Sequence, residues 1–186
     1  MTERIPDKLK SFFEIESVPL TLISRDRRDM PVVIANRAFC DLTGYEPEEV
    51  IGRNCRFLQG DFDNSAERAR IRECIENERD DYFILANRKK NGDRFLNFLY
   101  LAPIFVPDSP ERFVLGTQFD VTNELGDGIE RHFRRVGDVF AGGAQSPYSE
   151  QVVIESKKLA AMSVRNVLQY ILETEAGRQA KSLVAG

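Results

Sequence analysis

The chain has 186 residues, enough for one ordinary domain with a real core and some additional helix. It is 42% hydrophobic and 30% charged, with a net charge of −4, which argues against a chain built to coat nucleic acid or an anionic membrane. A single histidine, His132, and three cysteines without a C-x-x-C pair (Cys40, Cys55, Cys74) leave no zinc cluster and no ordinary catalytic triad.

Residues 6–16 read as a short amphipathic helix, with Pro6 at its start and Leu9, Phe12 and Phe13 on one face. Two extended runs follow, 19–24 and 31–35, joined by a charged turn, and they predict a hairpin. Short helical pieces are expected at 36–43 and 47–51, punctuated by Gly44 and Gly52. A longer helix runs from Asn64 or Ser65 to about Asn77, with Ile71 and Ile75 facing inward. Three strands come next, at about 81–88, 94–106 and 112–121, with Asn91-Gly92 marking the first turn and Pro107 to Pro110 the second. The resulting fold class is α+β: a five-stranded antiparallel sheet with short helices on one face.

The tail has a different pattern. Ile129, Phe133, Val136 and Phe140 form one stripe of a helix starting near Gly128. Ser146-Pro147 then opens a second helix, expected to end near Gly177, whose Leu159, Val164, Val167, Leu168, Ile171 and Leu172 give a wide apolar face. This helical hairpin needs a partner surface. The chain divides accordingly into an N-terminal helix (1–16), a central domain (17–122) and a C-terminal helical extension (123–186).

The most specific string is Gly52-Arg-Asn-Cys-Arg-Phe-Leu-Gln59, with Ile71-Arg72, Asn87, Asn97, Gly116 and Gln118 downstream. The string and these positions resemble the signature of LOV domains, the flavin-binding, light-sensing branch of the PAS family, over roughly residues 17–122. The resemblance implies a blue-light photoreceptor in which Cys55 forms a reversible cysteinyl-flavin adduct. It also implies that Asn54 and Gln59 bond the ribityl chain or ring edge, with Leu58 in the same cofactor-binding string. Arg56 and Arg72 would hold the terminal phosphate, Asn87 and Asn97 the pyrimidine edge, and Gln118 ring nitrogen 5. Family members that hold FAD often carry an extra loop between Arg56 and Arg72; its absence favours FMN.

Residue chemistry agrees with those roles. Asn offers both a donor and an acceptor to a heteroatom edge. Arg presents a planar fork that suits phosphate. Gly116, two residues before Gln118, leaves room for a ring against the strand. The resemblance further implies that nitrogen 5 changes from acceptor to donor when the adduct forms; the Gln118 amide would then present its oxygen instead, which makes Gln118 the expected signal relay. The register of the second hairpin offers a check. A two-residue Asn91-Gly92 turn would put Asn87 and Asn97 on opposite faces, so an odd-length loop or a β-bulge is expected.

Other features read as ordinary structure. Cys40 and Cys74 are expected to be inert buried thiols. The segment around His132 reads as a solvated helix face, and the tail carries eight basic and eight acidic side chains from residue 124 onward, no footprint for nucleic acid. The expected protein is therefore no enzyme but a sensor, a homodimer through its terminal helices whose contacts light rearranges. The alternatives are a light-gated docking module for a partner protein or DNA, and a flavoenzyme. Without an apolar run near 18 residues or a signal peptide, no membrane and a cytoplasmic setting are expected.

Overall fold

The computed structural model describes residues 5–107, 109–125 and 150–184, with side chains to residue 174. Helix α1 (Asp7–Ile15) leads into β1 (Leu20–Ser24) and β2 (Val32–Ala35). Helices α2 (Arg37–Thr43) and α3 (Pro47–Val50), a 3-10 helix (Cys55–Gln59) and α4 (Ser65–Glu76) make up the helical middle. Strands β3 (Asp81–Arg88), β4 (Arg94–Ile104) and β5 (Phe113–Asp120) follow, then α5 (Thr122–Leu125) and α6 (Glu150–Val184). The strand order is β2-β1-β5-β4-β3, and every pair is antiparallel. These spans fall within a few residues of the expected ones. The 3-10 helix is an addition, and the expected helix near Gly128 and the Ser146-Pro147 start lie outside the described residues.

Local chemistry accounts for the helical middle. Asn36 caps α2 by accepting from Phe39 N–H at 3.0 Å. The same oxygen accepts from Leu20 N–H at 2.8 Å, while its amide donates to the carbonyls of Glu16 and Val18. One buried side chain thus ties α1, β1 and α2 together. Gly44 ends α2 at φ 76°, the left-handed conformation that glycine adopts without strain.

Residues 88–94 fulfil the register expectation. Lys89 N–H donates to Asp93 C=O at 2.8 Å and Gly92 N–H to Lys89 C=O at 2.9 Å, with Gly92 at φ 95°. The loop proper is the three residues Lys90, Asn91 and Gly92. Asn87 pairs with Phe95 and Leu85 with Asn97, so both asparagines point to one face.

Each face of the sheet has its own cover. The 3-10 helix, α2, α3 and α4 lie over one, around a core that includes Phe39, Val50, Leu58, Ile75, Phe83 and Leu101. The terminal helices cover the other. Leu9, Phe12 and Phe13 of α1 meet Leu168 and Leu172 of α6 over Leu20, Leu22, Ile104 and Leu115. Further along α6, Val153, Ile154 and Ala161 pack on Leu96, Phe98, Tyr100 and Ala102. Among the described residues of the expected apolar face, Leu168 and Leu172 find their partner surface within the chain and Val164 and Ile171 pack beside them, whereas Leu159 and Val167 stay exposed; the expected stripe at 129–140 lies outside the described residues. Gly177 does not stop α6, because one helical glycine costs only about 1 kcal/mol.

Candidate functional site

The 3-10 helix is capped by Asn54, whose side chain accepts from Arg56 N–H at 3.0 Å and donates to Asp29 C=O at 2.7 Å. Val32 N–H donates to Arg53 C=O at 2.8 Å, and Gly52 N–H to Val32 C=O at 2.9 Å. The Gly52–Gln59 string is thereby fastened to β2, and Cys55 projects toward the sheet.

Between that string, α4 and the sheet lies a cavity of about 180 Å³. Cys55, Leu58 and Gln59 line its helical wall, with Ile71 and Ile75 of α4. Asn87, Asn97, Leu99, Leu101 and Gln118 line its sheet wall. Of the proposed site residues, all but Gly116 border this one cavity.

Among the described residues, five buried side-chain polar atoms lack a hydrogen-bond partner. Three of them are Asn87 Oδ1, Asn97 Oδ1 and Gln118 Oε1, on residues only 2%, 3% and 2% exposed. An orphaned buried polar group costs about 1–3 kcal/mol, so three on one cavity wall mark a surface built to meet a polar ligand. With Leu99 and Leu101 alongside, the wall matches a flat apolar ring with heteroatoms on one edge. The donor set fits a flavin.

Cys55 is half-buried, and its accessible surface opens on the cavity. Burial pushes its thiol up to about 12, against a smaller opposing effect of a hydrogen bond from Thr21. The resting group is a neutral thiol across the physiological range. Cys40 and Cys74 are buried and lie away from the cavity.

At the mouth, Arg56 pairs with Asp29 at 2.6 Å, both side chains 54% exposed, and Arg72 of α4 is exposed. Arg68, one turn before Arg72, also lines the cavity and donates to Gln59 Oε1 at 3.2 Å. Sequence reasoning missed Arg68, although its i, i+4 spacing from Arg72 puts the two on one helix face.

Thr21 of β1 was missed as well. It is fully buried, and its Oγ1 accepts from Gln118 Nε2 at 3.1 Å. It stands opposite Gly116. A Cβ at position 116 would lie 2.7 Å from Thr21 Oγ1 and 2.9 Å from Gln118 Nε2. The space expected for a ring at Gly116 is thus taken up by the Thr21–Gln118 pair.

Fold and cavity together define a sheet-backed ligand-binding sensor domain. The chain belongs to the PAS domain family, whose model matches residues 19–123. A blue-light-activated histidine kinase of Rhizobium johnstonii is 41% identical over 110 residues, covering 59% of this chain and 32% of that protein. Among solved structures, the LOV domain of an Erythrobacter litoralis blue-light activated histidine kinase superposes with a TM-score of 0.53 at 33% identity, over 56% of this chain and 96% of that domain. The longer kinase from that organism gives a TM-score of 0.64 at 26% identity, over 84% of this chain and 43% of its own. Within the PAS family, this is a LOV-type blue-light photoreceptor domain.

The names of these relatives correct one expectation. The chain was expected to be no enzyme, yet the proteins it matches are named histidine kinases, and it spans between a quarter and a third of the length of such curated relatives. His132 lies outside the described residues. No helix among the described residues is long and apolar enough to cross a membrane.

Proposed function

We propose that the domain binds FMN in the Cys55 cavity and that Cys55 bonds reversibly to it under blue light. The observation that carries the reading is the placement of three orphaned amide oxygens and the Cys55 thiol around a single cavity. When bound, the flavin supplies absorption of blue light and an excited-state carbon able to accept a thiol. The chain's residues do the rest. Asn87 and Asn97 orient the ring edge, and Gln118 faces it from β5. Asn54, with a lone pair still free on its oxygen, and Gln59 and Leu58 flank the side chain. Arg56, Arg68 and Arg72 surround the phosphate, with Arg56 exchanging Asp29 for it. A usable Cys55 thiol fits a reducing, cytoplasmic setting.

The outward route starts at Gln118. Its neighbour Phe119 points to the opposite sheet face, where Lys157 of α6 sits 5.3 Å from the ring centroid. Lys157 also pairs with Glu124 of α5 at 3.0 Å. Reorientation of Gln118 therefore bears on the seat of α6. Val152, Leu159 and Tyr170 form an exposed stripe on α6, 56%, 66% and 69% exposed, and offer a second copy of the chain a contact. A second reading, favoured by the kinase relatives, couples the same sensor to phosphotransfer in the whole protein.

The test is an absorption spectrum of the purified protein before and after blue light. A structured flavin band that bleaches and recovers, with bleaching lost in Cys55→Ala, is expected. A chain that carries no flavin, or a Cys55→Ala variant that bleaches like the wild type, overturns the reading. Light and dark scattering masses then report on self-association.

A further inference from the structure

We propose that Asn64 is a positioning residue for the ring-edge wall: its side-chain amide holds Ala86 by both backbone groups and so fixes how the neighbouring Asn87 meets a ligand. The inference rests on the flavin-binding reading above and adds to it a residue that does not border the cavity.

Asn64 is 4% exposed and stands at the start of α4. An asparagine in that position ordinarily turns its side-chain oxygen to the first N–H groups of its own helix. Here it makes no such bond. Its backbone C=O accepts from Arg68 N–H at 2.8 Å, and Asp63 accepts from Ser65 N–H at 2.9 Å in its place. The Asn64 amide is turned to β3 instead. Its Oδ1 accepts from Ala86 N–H at 3.1 Å, and its Nδ2 donates to Ala86 C=O at 2.9 Å. Only this orientation of the amide satisfies both groups.

The sheet explains why Ala86 is the residue held. Strand β3 lies at the edge, where alternate residues turn their N–H and C=O away from the ladder. Ala86 stands opposite Leu96, whose own N–H donates to Thr122 Oγ1 at 3.0 Å and whose C=O accepts from Val121 N–H at 2.9 Å. The pair exchanges no bonds across the ladder, so both Ala86 groups point outward, and Asn64 meets them. Leu85 and Asn87, on either side of Ala86, line the cavity. From the other end of the clamp, α4 carries Arg68, Ile71, Arg72 and Ile75 to the helical wall. One side chain therefore joins the two walls beside Asn87, whose Oδ1 has no partner. With residue 86 held by both groups, a ligand meets an Asn87 amide that is already placed.

FMN and riboflavin, titrated separately into the flavin-free full chain, test the clamp. Asn64→Ala is expected to weaken both about fivefold, the effect of about one hydrogen bond at the ring edge. Riboflavin lacks the phosphate, so an equal loss puts the effect at the ring and not at Arg56, Arg68 and Arg72. In an Asn87→Leu background, Asn64→Ala is expected to cause no further loss, because the group it acts through is gone. In the flavin-free chain, backbone hydrogen exchange is expected to quicken at Ala86 but not at Leu85 or Asn87, whose N–H groups face β4. Undiminished affinity in Asn64→Ala, a loss confined to FMN, or the same loss in the Asn87→Leu background overturns the proposal. If Asn64→Ala does not fold, Asn64→Asp, which still accepts from Ala86 N–H but cannot donate to its C=O, is read the same way with a smaller loss. A wild type that takes up neither flavin sinks the photoreceptor reading instead. Exchange at Ala86 then decides the clamp by itself, and unchanged protection in Asn64→Ala overturns it.

Discussion

Asn87 and Asn97 stand diagonally across the β3–β4 ladder, Asn87 opposite Phe95 and Asn97 opposite Leu85, and both amides enter the cavity from the same sheet face. Neither oxygen has a partner. Each amide therefore costs stability in the flavin-free chain and is repaid only by a ligand. Asn87→Leu or Asn97→Leu is expected to leave the flavin-free protein equally stable or about 1 kcal/mol more stable, while weakening flavin retention. Thermal melts with and without FMN check this. Destabilisation of the flavin-free chain by several kcal/mol would show that these amides serve the fold.

The same diagonal depends on the length of one loop. Deleting Asn91 shortens the three-residue connection to two and shifts the pairing by one residue, which turns one strand's side chains to the other face. Either Asn87 or Asn97 then leaves the cavity. The expected outcome is a chain that has lost both flavin and much of its cooperativity in unfolding, by absorbance and circular dichroism. Substituting Asn91→Ser at constant length has a far smaller effect.

Gly116→Ala tests the packing between β1 and β5. Its Cβ would fall 2.7 Å from Thr21 Oγ1 and 2.9 Å from Gln118 Nε2, so at least one side chain must move and the bond between them is lost. Breaking that buried bond and crowding the strand pair is expected to cost about 1–3 kcal/mol, read from denaturant midpoints. Thr21→Ala on the Gly116→Ala background should recover part of the loss, because it empties the space the new methyl group needs.

Much of this site was legible in the sequence, for identifiable reasons. The elements are punctuated by strong local signals: Asn36 as a cap, Gly44 at φ 76° and the Asn91-Gly92 turn. The polar residues Asn87, Asn97 and Gln118 stand out in otherwise apolar strands, so their burial had to be explained by a partner. Thr21 escaped notice because threonine is a common strand residue. Its meaning depends on the β1–β5 pairing, which places it beside Gly116 across about 95 residues of chain. The seat of α6 was hidden for a related reason. A periodic apolar face shows that a helix must be buried but not against what, and here the surface is the outer face of its own sheet.

The Cys55 thiol sets a pH dependence whose sign can be worked out. Its folded value is about 12, against 9.0 for an ordinary cysteine. Between these values the folded chain keeps a proton that the unfolded chain has lost, so stability falls as pH rises through the window. The contribution is complete below about pH 9 and gone above about pH 12, with a slope of at most about 1.4 kcal/mol per pH unit. Cys55→Ala removes this component. The stability advantage of the wild type over Cys55→Ala is therefore expected to shrink between about pH 9 and about pH 11 in denaturant titrations. Photobleaching amplitude should hold steady from about pH 6 to about pH 10, because the thiol stays protonated throughout. A bleaching amplitude that titrates near pH 8.5 would mean that the thiol sits in a far wetter site.

Helix α6 carries apolar residues on two sides, and the two should respond differently to truncation. Leu168 is fully buried between α1 and the sheet, whereas Leu159 is 66% exposed on the opposite stripe. Leu168→Ala leaves a cavity in the interface and is expected to cost about 2–5 kcal/mol of the α6–sheet contact, with faster hydrogen exchange in β5 and around Phe98. Leu159→Ala removes only solvent-facing surface and should change stability by less than about 0.5 kcal/mol. If a second copy of the chain seats on the Val152–Leu159–Tyr170 stripe, Leu159→Ala instead lowers the scattering mass at a given concentration. Equal masses for wild type and Leu159→Ala, in both light and darkness, would remove that stripe from the account of self-association.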